Sequence, residues 1–177
     1  MIYLDYQATT PLAPEAFAAM EPWLKDGFAN PHSAHAAGRA AAAAVEFARD
    51  QIAALLPKGG RVIFTSGATE AINLAIMGCG LPVAAAATEH AAVLDIVEYL
   101  DGRTFPVDGS GLIRHAAQAP GSFGGPALIA IMLVNNEIGT IQPIAELAAA
   151  AHAQGNLFLC DAVQAFGRMP IPDGPDM

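Results

Sequence analysis

Between positions 61 and 161 the sequence alternates short apolar runs with segments of helical pattern, and this alternation narrows the fold more than any other feature. RVIFTS (61–66) reads as a strand, and GATEAINLAIMG (67–78) as a helix that opens on a glycine. PVAAAAT (82–88) reads as a strand despite its alanines, which favour strands poorly. It is followed by the helical HAAVLDIVEYL (90–100) and the short extended TFPVD (104–108). GLIRHAAQA (111–119) fits a short surface helix and PGSFGGP (120–126) a loop. ALIAIMLV (127–134) has the strongest strand pattern in the chain, IAELAAAAHAQG (144–155) is a helix ending at its glycine, and LFLCD (157–161) is the last strand. Strands that alternate with helices imply βαβ crossovers, hence an α/β fold with a mainly parallel sheet flanked by helices and buried on both faces.

Upstream the pattern differs. Residues 1–33 are expected to form an irregular N-terminal segment punctuated by Pro11, Pro14, Pro22 and Pro31, and 34–177 the sheet-bearing part. A helix is expected from Ser33 onward, with Val45, Ala48, Ile52 and Leu55 at helical spacing and Pro57-Lys58-Gly59-Gly60 ending it.

The bulk numbers exclude several function classes. At 177 residues the chain holds one ordinary domain or part of a larger one, and 54% apolar against 14% charged residues does not describe a disordered chain. A net charge of -9 with no basic stripe predicts no nucleic-acid partner. The N-terminus MIYLDYQATTP lacks a basic region followed by a long apolar one, so no secretory signal is expected. The run ALIAIMLV is too short to cross a bilayer as a helix, so no membrane association is expected either. Cys79 and Cys160, far apart and in apolar settings, are expected to be reduced thiols of a cytoplasmic protein.

In a parallel sheet of this kind ligands bind beyond the carboxyl ends of the strands. The polar clusters fall there: Thr65-Ser66-Gly67-Ala68-Thr69, Thr88-Glu89-His90, Asn135-Asn136-Glu137, and Asp161. Gly67 lets the chain turn into a helix whose first N–H groups suit phosphate, and the Thr69 hydroxyl adds a donor. The same residues also suit a plain N-cap at Ser66 or Thr69. His90 can cap its helix, stack on a ring or ligate a metal, but no His-x-x-x-His or Cys-x-x-Cys accompanies it, so no metal site is expected. A carboxylate at the end of a buried strand, as Asp161 is expected to be, is costly unless a cation meets it. A protonated pyridine nitrogen is such a cation. Phosphate at one end, pyridinium at the other and a ring face between them describe pyridoxal 5′-phosphate.

YLDYQATTP, NPHSAHAAGRAA, FTSGATEAINLAI, TEHAAVLD, VNNEIGTIQPI and DAVQAFGRMPI occur in the order found in cysteine desulfurases, and the chain resembles that family from Tyr3 to its end. The family belongs to the class V aminotransferases and has the fold-type I pyridoxal-phosphate transferase architecture, of which this chain would carry an incomplete large domain. The resemblance implies release of sulfur from L-cysteine, leaving alanine and a persulfide that passes to a sulfur-acceptor protein for iron–sulfur cluster or thio-cofactor assembly. It implies a homodimer when the protein is of full length. It also implies that Ala68 and Thr69 hold the cofactor phosphate, and that His90 stacks on the ring and acts in catalysis. Asn136 would contact cofactor or substrate, Asp161 the pyridinium, and Gln164 the ring hydroxyl. A selenocysteine lyase-like enzyme, or a degenerate domain that pairs with a full-length homologue, are the alternative readings.

Two departures matter. Gln7 stands where the family has alanine. The family's Schiff-base lysine lies in a Ser-x-His-Lys motif past the PIPDGPDM region, and the lysines here, Lys25 and Lys58, match neither that motif nor its place. The family's substrate arginine and sulfur-accepting loop cysteine are likewise unmatched, and Cys160 is no substitute, so these 177 residues alone are expected to show no desulfurase turnover.

Overall fold

The computed structural model describes residues 2–113 and 123–177. The chain divides into two compact units, Met1–Leu56 and Pro57–Met177. The helix expected over GLIRHAAQA and the loop PGSFGGP fall largely on 114–122, outside the described residues.

The first unit holds two helices, α1 (Pro14–Lys25) and α2 (Ala36–Ala53). Helix α1 lies where irregular turns were expected. Its prolines explain the difference: Pro14 occupies the first turn, where its missing N–H costs nothing and its fixed φ suits the helix, and Pro22 is carried inside the helix. Helix α2 begins as expected. His35 Nδ1 accepts the Gly38 N–H at 3.2 Å, closing one of the free donors of the first turn. Gly38 is required by close approach, because a Cβ there would lie 2.2 Å from the Ser33 carbonyl oxygen.

The second unit is built on four strands: β1 (Val83–Ala86), β2 (Arg103–Phe105), β3 (Leu128–Ala130) and β4 (Leu157–Leu159). Their order is β2-β1-β3-β4, and every pair is parallel. Ala85, Ala130 and Leu159 stand level across the sheet, which sets the carboxyl ends of β1, β3 and β4 side by side. Among the described residues the unit also holds three helices, α3 (Ala68–Cys79), α4 (Ala91–Tyr99) and α5 (Ile144–His152).

The period-2 alternation of side chains sends each strand's residues to two cores. Val83, Ala85, Leu128, Ala130 and Leu159 pack with Ile72 and Ile76 of α3 and Val93, Ile96 and Val97 of α4. Ala84, Ala86, Ile129, Ile131 and Phe158 pack with Ile144, Leu147, Ala148 and Ala151 of α5. Strands β1, β3 and β4 are therefore buried on both faces, as the near-continuous apolar runs required, while Arg103 and Thr104 of the edge strand β2 are exposed. β1 forms in spite of its alanines because burial on both faces outweighs a weak intrinsic preference; Ala84, Ala85 and Ala86 are wholly inaccessible. Helix α3 stops at Gly80, whose φ of 65° is the left-handed conformation that side chains resist.

Residues 61–66 are not a strand of this sheet, contrary to the reading of RVIFTS. Apolar character satisfies the pattern of a strand, but a ladder also needs a neighbour in register, and the parallel pairs here involve other residues. Ile63 and Phe64 are exposed.

Candidate functional site

The carboxyl ends of β1, β3 and β4 run on into three segments that hydrogen bonds tie together. After β1 comes Thr88-Glu89-His90. His90 is exposed and is the N-cap of α4, where its Nδ1 accepts the Ala92 N–H at 3.1 Å. An accepting nitrogen carries no proton, so the neutral ring holds its proton on Nε2. Glu89 is buried, and its Oε1 accepts the Met132 N–H at 2.9 Å from the end of β3. The Asn135 Nδ2 donates to the Thr88 carbonyl at 2.7 Å, a second tie between the same two segments.

Asn135 also shapes the turn after β3. Its Oδ1 accepts the N–H groups of Glu137 and Ile138, at 2.9 and 3.0 Å, while its own N–H donates to the Thr140 carbonyl. Val134 and Ile141 bridge antiparallel across this turn. Asn136, the residue singled out by sequence, is half-buried beside this anchor, and none of the ties described here passes through it.

Asp161 follows β4. Its carbonyl accepts the Leu133 N–H at 2.9 Å, extending the β3–β4 pairing, and its Oδ1 accepts the Val163 N–H at 2.9 Å. Gln164 stands one turn on, and its Oε1 accepts from Arg168 Nη1 at 2.9 Å. That contact fixes the amide nitrogen as the donor end of the side chain.

Burial decides the electrostatics. It pushes the Glu89 carboxyl up to about 8, the Met132 N–H pulling it back in part and the Asp161 charge adding to the rise. Burial likewise pushes the Cys160 thiol up to about 12, with Asp161 and Glu89 contributing. A thiol so placed is no nucleophile near neutral pH, in line with the sequence reading of Cys160.

Ala68 and Thr69 open α3, which shares a sheet face with α4 through Ile72 and Ile76. Gly67 is the N-cap and makes no side-chain cap, and a Cβ on it would meet nothing within 4 Å. Glu70 is committed just upstream, where its Oε2 accepts from Ser66 N–H at 2.6 Å and Ser66 Oγ at 2.5 Å. These bonds, the hydroxyl first, hold the Glu70 carboxyl below the usual range.

The strand ends thus bring together Thr88, Glu89, Met132, Asn135 and Asp161. Sequence reasoning named Asp161 and His90 but gave Glu89 and Asn135 no role. An acid just before a helix cap ordinarily faces water, so nothing in its spacing announced that Glu89 is buried. Of the two asparagines, the turn that follows distinguished Asn135, since an Asx side chain closes the N–H groups two and three residues on.

The family model described as aminotransferase class-V matches residues 2–172. The chain is 42% identical over 183 residues to the cysteine desulfurase IscS of Dictyoglomus turgidum, an alignment that covers 96% of this chain and 46% of that one. Among solved structures, a NifS-like protein from Rickettsia africae superposes with a TM-score of 0.83 at 33% identity, covering 97% of this chain and 50% of the other. A structure described as SspA in complex with cysteine gives 0.82 at 35% identity, covering 96% and 52%. The chain spans about half the length of the curated relatives it matches. The chain thus belongs to the aminotransferase class-V family, and the relatives it matches are described as cysteine desulfurases.

Proposed function

We propose that the chain supplies the cofactor-holding part of a pyridoxal 5′-phosphate-dependent cysteine desulfurase acting on L-cysteine. The observation that carries this reading is Asp161, an acid anchored at the carboxyl end of a buried strand beside two other strand ends. The SspA relative, described in complex with cysteine, supports the substrate. A sulfur-acceptor protein, a homodimeric assembly and a cytoplasmic location belong to the same reading.

The residues present fit the cofactor. The first turn of α3 offers N–H groups that no N-cap side chain closes, with the Thr69 hydroxyl beside them, and open space at Gly67 leaves room for an anion. Asp161 retains a second carboxylate oxygen beyond the one bonded to Val163, suited to a pyridinium N–H. Gln164, its Oε1 accepting from Arg168, would offer its amide nitrogen to a ring oxygen. His90, its Nδ1 held by the backbone, would turn its Nε2–H as a hydrogen-bond donor to a group bound at the exposed end of α4. When bound, the cofactor supplies an electron sink for bond cleavage at the substrate Cα. Asp161 serves that chemistry by keeping the pyridine nitrogen protonated, each pH unit of pKa increase being worth about 1.4 kcal/mol.

The test uses pyridoxamine 5′-phosphate, which has the ring and phosphate but no aldehyde to condense with Lys25 or Lys58. Saturable binding is expected by calorimetry, weakened tenfold or more in Asp161→Ala. Equal affinity in the two proteins, or no binding to wild type, refutes the reading. With the aldehyde cofactor and L-cysteine, this 177-residue chain is expected to release no alanine above background; turnover would show that a group other than the family lysine serves.

A further inference from the structure

Glu89 is the buried group for which the proposed chemistry has no use. Its Oε1 accepts the Met132 N–H at 2.9 Å, while Oε2, among the described residues, is buried with no hydrogen-bond partner. An ionised carboxylate does not leave one oxygen dry and unbonded, because the charge on it is then uncompensated. Among the described residues no cation offsets it either. The groups that face it are Asp161 and Cys160 at the end of β4, one an acid and the other a neutral thiol. On its own segment the neighbouring His90 has its Nδ1 turned to the Ala92 N–H.

We propose that Glu89 is a neutral carboxylic acid in the folded protein and a positioning residue. Its Oε1 bond to Met132 clamps the Thr88-Glu89-His90 segment to the end of β3, which sets where His90 begins α4. Its proton leaves Asp161 as the one charged member of the pair. Two carboxylates at this spot would repel, and would present two negative charges where one cation is to be met. This last consequence rests on the proposed function; the protonation and the clamp do not.

Protonation is read without any cofactor. An acid whose folded value lies near 8 and whose ordinary value is 4.5 takes up a proton on folding between those limits. The stabilising contribution is complete below 4.5 and lost as pH rises to about 8, so across that window the folding equilibrium constant falls about tenfold per pH unit relative to a protein lacking the group. Urea unfolding of the chain and of Glu89→Gln at intervals from pH 5 to 9 isolates this difference. The amide imitates the neutral acid and keeps the Oε1 acceptor, so E89Q is expected to lose one proton's worth of slope and to equal or exceed wild type near pH 8. Parallel slopes overturn the proposal.

If E89Q does not fold, infrared difference spectra of the wild type between pH 6 and 9 decide the matter. A buried carboxylic acid C=O band must disappear as pH passes about 8; a carboxylate band already complete at pH 6 overturns the proposal. The clamp is read by amide hydrogen exchange at Met132 and in the first turn of α4. E89Q is expected to retain protection that Glu89→Ala loses tenfold or more, and equal loss in both variants would reject a positioning role. Failure to bind pyridoxamine 5′-phosphate would remove the proposed function and leave these results standing.

Discussion

The two ends of the candidate site are made differently. At the strand ends, Glu89, Asn135 and the residues leading to Asp161 are buried or half-buried and joined by hydrogen bonds that cross between elements. At the start of α3, Ser66, Gly67, Ala68 and Thr69 are all exposed, and their bonds are local, as in Ser66 with Glu70. The first region is held by the fold of the sheet, so its geometry persists whether or not a ligand is present. The second is a helix terminus whose free N–H groups are satisfied by whatever reaches them, water or anion. In the proposed function, discrimination by charge and ring shape would belong to the first, and a general affinity for phosphate to the second.

Substitutions separate the two. Phe158 of β4 is wholly buried in the α5-side core, and Phe158→Ala is expected to cost about 3–5 kcal/mol by urea unfolding. A cost under about 1 kcal/mol would show that the strand ends are not rigidly supported. Asn135→Ala strips the Thr88 carbonyl of its donor and two turn N–H groups of their acceptor, and should cost about 1–3 kcal/mol. It should also raise hydrogen exchange at the 88–90 segment; an effect confined to 135–140 would break the link between strand ends.

Thr69→Ala sits at the other extreme. An exposed position of this kind is expected to change stability by no more than about 0.5 kcal/mol. Affinity for pyridoxamine 5′-phosphate should fall by roughly 10- to 100-fold, the worth of one hydrogen bond to a charged group at about 1.5–3 kcal/mol. A large loss of stability with unchanged affinity would reverse the contrast. Thr69→Ala and Asp161→Ala combined should weaken binding by the product of the single effects if the two ends act independently.

Much of this was legible in the sequence, for identifiable reasons. The runs at 83–86, 128–130 and 157–159 and the helical segments between them follow from periodicity, and the placement of the clusters at 88–90, 135–137 and 161 beyond strand ends follows from the parallel topology, whereas the cluster at 65–69 follows no strand. RVIFTS misled because strand pattern is a property of the segment, whereas pairing is a property of its surroundings. Helix α1 was hidden by prolines that read as breaks when counted and as helix starts when placed. The roles of Glu89 and Asn135 were hidden because each depends on a backbone group more than forty positions away, Met132 for one and Thr88 for the other. No local spacing encodes such a partner.

The half-buried Cys160, at the end of β4, gives the protein an internal gauge of its own integrity. With the thiol pushed up to about 12, the reactive thiolate is scarce at neutral pH, so alkylation by iodoacetamide is expected to be slow while β4 stays in place and faster once it parts from the core. Peptide mapping distinguishes that label from one on Cys79, which lies in α3 with its Sγ donating to the Ile76 carbonyl. The rate at which Cys160 acquires the label is then a clock for the opening of the sheet edge that carries Asp161, running without a chromophore or a bound ligand.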